Sequence, residues 1–181
     1  TISVYGERLY QKVYFENSIT NPFSPYAITK LEAENFLLNI FPEQSWILRL
    51  APVYSKKFKL NIIRRVKIVN LFFRVGSGES KLSLCNIKNI ISVIEKIIDG
   101  DVPNEVYNIS DDKEYTYNDL LRYMNAKFVF PVPLFIVKIF FYLGVFIKNI
   151  FLKENMTKLS SDNIFSSKKI KEYVPMNHFL R

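Results

Sequence analysis

The sequence has one cysteine, Cys85, and one histidine, His178, in 181 residues. A single thiol excludes an internal disulfide framework and fits a reducing, cytoplasmic setting. A single imidazole excludes a histidine-rich metal centre and argues against a Ser-His-Asp triad, so no metal site is expected. Glycine is scarce as well, with five residues, and none are spaced as Gly-x-x-Gly-x-x-Gly. That spacing makes the turn that lets a backbone approach a dinucleotide pyrophosphate. There is no internal repeat and no low-complexity tract, which sets aside solenoids and fibres.

Apolar side chains are plentiful. At 49% of the sequence they suffice for one sizeable core, or a domain with a satellite. The net charge is +8, and basic residues crowd into KKFKLNIIRRVK (56–67) and SSKKIK (166–171). Positive charge attracts nucleic acid, anionic lipid or phosphorylated substrates. No nucleic-acid-binding motif accompanies these runs, so they read as solvated faces and nucleic acid is not an expected partner.

TISVYG (1–6) alternates in the manner of a strand. That places Thr1, Ser3 and Tyr5 on one face and Ile2 and Val4 on the other. Starting at Thr1 on such a strand, the sequence reads as beginning inside a domain. Ser24 and Pro25 form a helix start, and the helix is expected to run to about Ile40. SWILRLAPVY (45–54) reads as a buried strand, residues 58–72 as helical, and KLSLCNI (81–87) as a short strand. NIISVIEKIIDG (89–100) is an amphipathic helix stopped by Gly100, and EVYNIS (105–110) a further strand. Thr116 and Asp119 have the spacing of a capping box. Strands alternating with helices imply an α/β fold with a mainly parallel sheet.

Residues 128–152 are the most apolar stretch. Their length suffices to span a bilayer, but Lys138 and Lys148 interrupt them and Pro131 and Pro133 restrict their start. A helix buried within the protein is the preferred reading. A helix lying in a membrane surface is the alternative, because lysine can snorkel.

The chemistry concentrates in SPYAITK (24–30). Residues four apart share a helix face, so Tyr26 and Lys30 lie side by side. A free phenol, with a pKa of about 10, is a poor proton carrier at neutral pH. A neighbouring ammonium favours the phenolate and makes a usable acid–base group. A hydroxyl on the opening segment could hold the reacting oxygen, with Thr1 the first candidate and Ser3 the second. An isolated Tyr-x-x-x-Lys is common on helix surfaces; the capped helix and its entry segment give this one its context.

Taken together, TISVYG, NPFSPYAITKLEAE and WILRLAPVYS resemble the extended short-chain dehydrogenase/reductases, the NAD-dependent epimerase/dehydratase family. Further stretches are similar: SLCNIKNIISVIEKII, VYNISDDKEYTYNDLL and SSDNIFSSKKIKEY. The resemblance implies the C-terminal part of a Rossmann-type parallel sheet with a small mixed substrate-binding subdomain. The Rossmann portion would be residues 1–55 with 81–110, and the subdomain 56–80 with 111–181. It implies NAD or NADP as cofactor, with Tyr26, Lys30 and the Ala51–Pro52–Val53 backbone near the nicotinamide. Tyr26, Lys30 and Thr1 become catalytic; Thr1, Ser3, Pro52 and Lys81 become substrate-binding. The implied substrate is a nucleotide sugar passing through a 4-keto form, and the implied assembly a homodimer through the helix bearing Tyr26. The departures are the missing glycine-rich turn, Pro52 where many members carry asparagine, Ser55 in place of glycine, and Lys88–Asn89 in place of an acidic residue. With those departures, the 181 residues are expected to be inactive alone. A non-catalytic remnant of the fold and a membrane-surface dehydrogenase acting on a lipid-linked or steroid-like substrate are the alternatives.

Overall fold

The computed structural model describes residues 1–6 and 13–180. It opens with a 3-10 turn, Ile2–Tyr5, followed by strand β1 (Val13–Tyr14) and helix α1 (Pro25–Ile40). Strands β2 (Ile47–Leu50) and β3 (Val53–Tyr54) precede helix α2 (Leu60–Val66). Strands β4 (Lys67–Ile68), β5 (Leu71–Val75), β6 (Lys81–Leu82) and β7 (Cys85–Asn86) lead to α3 (Ile87–Ile98) and β8 (Val106–Ile109). Then come β9 (Tyr115–Thr116), α4 (Tyr117–Tyr123), β10 (Val129–Val132), α5 (Leu134–Phe146), α6 (Ile150–Ser160) and β11 (Ile164–Phe165).

Parallel pairing dominates, as the alternation of elements requires. β2 runs beside β8, β3 beside β7, β1 beside β11 and β10 beside β5, all parallel. β4–β5 and β6–β9 are antiparallel. One core gathers Ala51, Cys85, Val93, Tyr107 and Ile109 around β2 and β8, closed by Ile170, Val174 and Met176 from the C-terminal segment. A second gathers Tyr54, Ile62, Val66, Leu84, Tyr115 and Leu120 between α2 and α4.

The opening segment differs from its expected form. TISVYG is a 3-10 turn rather than a strand, and Ile2, Val4 and Tyr5 are all buried. Thr1 caps it by accepting from the Ser3 amide. Gly6 closes it at φ 59°, where a Cβ would stand 1.9 Å from the Asn21 carbonyl oxygen. Only glycine fits that left-handed, crowded position, so the chain must bend where a strand would continue. The Asn21 amide donates to the Val4 carbonyl and ties the loop back onto the turn.

Three further expectations are revised. Residues 58–72 divide into α2 and the β4–β5 hairpin, whose turn holds Val69 at φ 54°. KLSLCNI divides into β6 and β7, which pair with different partners. SWILRLAPVY breaks at Ala51–Pro52, between β2 and β3, because proline offers no amide to a ladder.

A buried polar network fixes the C-terminal segment. The Asp111 carboxylate accepts from the hydroxyls of Tyr54 and Tyr115 at 2.8 and 2.7 Å. It also accepts from the Asn86 amide and the Asn89 side chain. Asn89 in turn exchanges two hydrogen bonds with the backbone of His178. The stretch Lys88–Asn89, a departure in sequence, thus supplies a side chain that both donates and accepts. Burial raises the Asp111 pKa above the ordinary 3.8, partly opposed by these donors. A carboxyl with a raised native pKa binds a proton more readily folded than unfolded. Its contribution therefore favours the native state as pH falls into the window just above 3.8. Wild type is expected to gain stability relative to Asp111→Asn between neutral pH and that window. Paired urea melts at several pH values check this; a gap that widens against wild type on acidification refutes it.

Candidate functional site

Helix α1 begins where expected. Ser24 accepts from the Ala27 amide and Pro25 occupies the first helical position. The helical period then sets Tyr26 and Lys30 one turn apart, with the Lys30 ammonium 5.9 Å from the Tyr26 ring centre. Tyr26 is 58% exposed, so its phenol is open to a ligand.

Both side chains line a cleft of about 830 Å³. Thr1 and Ser3 of the opening turn line it too, as do Ala51, Pro52 and Val53 at the break between β2 and β3. The structure therefore brings Thr1, Ser3, Tyr26, Lys30, Ala51, Pro52 and Val53 to one cavity. Although the opening turn is not a strand, Thr1 and Ser3 still line the cleft. The Pro52 carbonyl accepts from the Cys85 amide, and the Val53 carbonyl from the Asn61 side chain. Those bonds hold the floor of the cleft in place.

Lys81 lies elsewhere. It does not line this cleft but pairs on the surface with Glu114 at 2.8 Å, and its own amide donates to Asp162. Glu114 raises its pKa.

Other basic groups face the cleft, in a stretch whose charge reads in sequence as a solvated run. Asn61, Arg64 and Arg65 enter from α2, and Lys158 and Asn155 from α6. The Arg65 Nε is buried and has no hydrogen-bond partner among the described residues. The helical spacing of Asn61, Arg64 and Arg65 is a usable signal. The approach of Lys158, nearly a hundred residues later, leaves none.

Beneath the cleft, Arg49 of β2 is buried and clamps α1. Its Nε and a terminal nitrogen contact one Glu34 oxygen at 3.0 and 2.9 Å. The other terminal nitrogen donates to the Tyr5 hydroxyl and the Glu16 carbonyl. The Tyr5 hydroxyl passes on to Asn108 at 2.7 Å. This network joins the opening turn, α1, β2 and β8, and so orients the elements that bear Thr1 and Tyr26.

No family model and no curated protein sequence matches the chain. Solved structures do. The UDP-glucuronic acid 4-epimerase of Bacillus cereus, solved with NAD, superposes with a TM-score of 0.66 at 18% identity, covering 99% of this chain and 52% of that one. The dTDP-glucose 4,6-dehydratase of Bacillus anthracis, also with NAD, gives 0.63 at 15%, covering 98% and 55%. The UDP-glucose 4-epimerase of Thermotoga maritima, with UDP-glucose, gives 0.62 at 19%, covering 98% and 56%. The chain spans about half the length of these proteins. At such identity the likeness establishes the fold: an α/β architecture with parallel strands, of the kind found in these epimerases and the dehydratase.

Proposed function

We propose that the chain is the acid–base and substrate-facing part of an NAD(P)-dependent nucleotide-sugar epimerase, dehydratase or reductase that works through a 4-keto sugar. The observation that carries this reading is one cleft lined by the Tyr26–Lys30 pair, Thr1, Ser3 and the basic residues Arg64 and Arg65. The fold of the neighbours supports it.

Ala51, Pro52, Val53 and Lys30 line the cleft and would hold the nicotinamide and its ribose. Among these 181 residues no glycine-rich turn is available to cradle a pyrophosphate, so this chain's own contribution is to the nicotinamide end. A bound nicotinamide would supply the hydride chemistry at the sugar carbon. Tyr26 takes the proton of the sugar hydroxyl and later gives one back. Lys30 stabilises negative charge on the phenol oxygen while that proton is away. Thr1, with Ser3 as the alternative, holds the reacting oxygen by a hydrogen bond. Arg64 and Arg65 neutralise a nucleotide diphosphate, arginine being suited to bidentate phosphate contact, beside Lys158, which is paired with Glu154. A homodimer through α1 belongs to the same proposal, supported by the exposed Phe36 and Ile40 on that helix. So does the division into residues 1–55 with 81–110, and 56–80 with 111–181.

The test uses the full-length gene product with NAD or NADP and a panel of UDP- and dTDP-hexoses, with products separated by chromatography. Conversion of one sugar to its 4-epimer, or to a 4-keto or reduced product, is expected. The 181 residues alone should give neither turnover nor saturable NAD binding. A full-length protein that binds no dinucleotide and alters none of the sugars overturns the reading.

A further inference from the structure

The apolar stretch at 128–152, expected as a buried helix, is neither one helix nor buried. After β10 and Pro133, it forms an antiparallel hairpin of α5 and α6 turned at Ile147–Asn149. Gly144 lets the two helices meet: a Cβ there would stand 2.9 Å from the Lys153 backbone nitrogen. Asn149 caps α6 by accepting from the Leu152 amide. Of α5, only a stripe comprising Val137 and Gly144 is buried, with Phe141 half-buried beside it. Val137 packs on Phe73 and Val75 of β5.

Most of the rest of α5 faces outward and, Lys138 aside, is apolar. Phe146 is 86% exposed and Phe151, on α6, 76%. Phe135, Ile139, Tyr142 and Ile150 are exposed as well. The surface continues on the sheet. Side chains two apart on a strand share a face, so Leu71 lies on the face of Phe73 and Val75. Register places Ile68 opposite Leu71, and Phe130 opposite Phe73. Leu71 is 71% and Phe130 65% exposed. The face that receives Val137 of α5 therefore carries apolar side chains beyond the helix. Monomeric proteins rarely expose contiguous apolar patches larger than a few hundred Å². A helix apolar on nearly all sides is ordinarily buried or in lipid.

Charge selects the partner. From Leu120 to Lys153 the sequence has five basic residues (Arg122, Lys127, Lys138, Lys148, Lys153) and no aspartate or glutamate. Lys138 and Lys148 are exposed among the apolar side chains of the hairpin. Aromatic and aliphatic groups interspersed with lysines, the hairpin's one acid, Glu154, being paired with Lys158 at 2.8 Å, match the interfacial region of an anionic bilayer. At 13 residues α5 is about 20 Å long, short of the ~30 Å hydrocarbon core. No helix among the described residues is long and apolar enough to cross a membrane.

We infer that the α5–α6 hairpin, with the adjoining face of β4, β5 and β10, docks the protein onto an anionic membrane surface, inserting to interfacial depth without spanning. The inward side of α6 supplies Asn155, Lys158 and Leu159 to the cleft, so docking sets the cleft beside the bilayer. This inference stands whether or not the cleft performs the chemistry proposed above.

Flotation of the full-length protein tests it, using vesicles of phosphatidylcholine alone and vesicles with a minority of phosphatidylglycerol. The protein is expected to float with the anionic vesicles, and more weakly with the neutral ones or at high salt. Phe146→Ser combined with Phe151→Ser should lower the partition coefficient by about tenfold or more. Lys148→Gln should lower it by about fivefold on anionic vesicles only. All three positions are exposed, so circular dichroism should be unchanged, and the wild-type salt and lipid dependence decides the matter even if a variant misfolds. A full-length protein that stays unfloated with anionic vesicles overturns the inference. So does a self-association that the phenylalanine pair abolishes in a protein without vesicle affinity, since a second copy then covers the face.

Discussion

Replacing Tyr26 by phenylalanine is expected to lower turnover of the full-length protein by about 10²–10⁴-fold, the usual worth of one positioned acid–base group. The loss should fall on kcat, with KM nearly unchanged, because the aromatic ring and its place in the cleft remain and only the proton-carrying oxygen is gone. The phenol is exposed to the cleft, and no hydrogen bond within the described fold is sacrificed at this position, so stability should not change. Nucleotide affinity should persist as well, since Arg64, Arg65 and Lys158 are untouched. Steady-state kinetics with the sugar identified by the product screen, alongside a thermal melt, make the measurement. A Tyr26→Phe protein that retains wild-type kcat removes the acid–base role and with it the proposed mechanism.

Arg49→Met is expected to destabilise the protein by about 3–5 kcal/mol, the usual cost of leaving one member of a buried ion pair without its partner. Glu34 has 6% of its surface exposed, and its oxygen loses both arginine contacts at once. The Tyr5 hydroxyl and the Glu16 carbonyl lose donors in the same step. Adding Glu34→Leu to Arg49→Met should recover a large part of the loss, because it removes the stranded carboxylate. Urea unfolding of the four proteins of this cycle gives the coupling directly. If Arg49→Met alone shifts the midpoint no more than a surface substitution does, the network is not what holds α1 on β2. The consequence for function is geometric. The same arginine joins the opening turn to α1, so its loss should also loosen Thr1 relative to Tyr26.

Elements governed by neighbours along the chain are legible in the amino-acid order itself. Ser24 and Pro25 start α1 because a side-chain oxygen and a fixed φ suit a first turn. Tyr26 and Lys30 then share a face because the helix repeats every 3.6 residues. The capping box of Thr116 and Asp119 forms as its spacing requires. Gly100 takes φ 82° just beyond α3, although α3 begins at Ile87, two residues before the expected start. The alternation of strands and helices is enough for the α/β class.

What local pattern does not supply depends on contacts between distant segments. Whether TISVYG extends or turns is decided at Gly6, by how close the Asn21 carbonyl comes, and alternation carries no information about that approach. Arg65 and Lys158 meet the same cleft only because α2 and α6 fold toward it. Arg49 reads as one more residue of a buried strand until Glu34, Tyr5 and Glu16 are placed around it. The apolar run at 128–152 has the composition of a core, yet composition measures only a preference for leaving water. Which surface receives those side chains is settled by packing, and here packing covers one narrow stripe of α5 and leaves the remainder facing out. Residue order alone thus dictates the capped starts of α1 and α4, the pairing of phenol with ammonium and the fold class. Folding in three dimensions selects which cations face the cleft and which apolar face has no protein partner among the described residues, since both follow from long-range contacts that no short-range periodicity encodes.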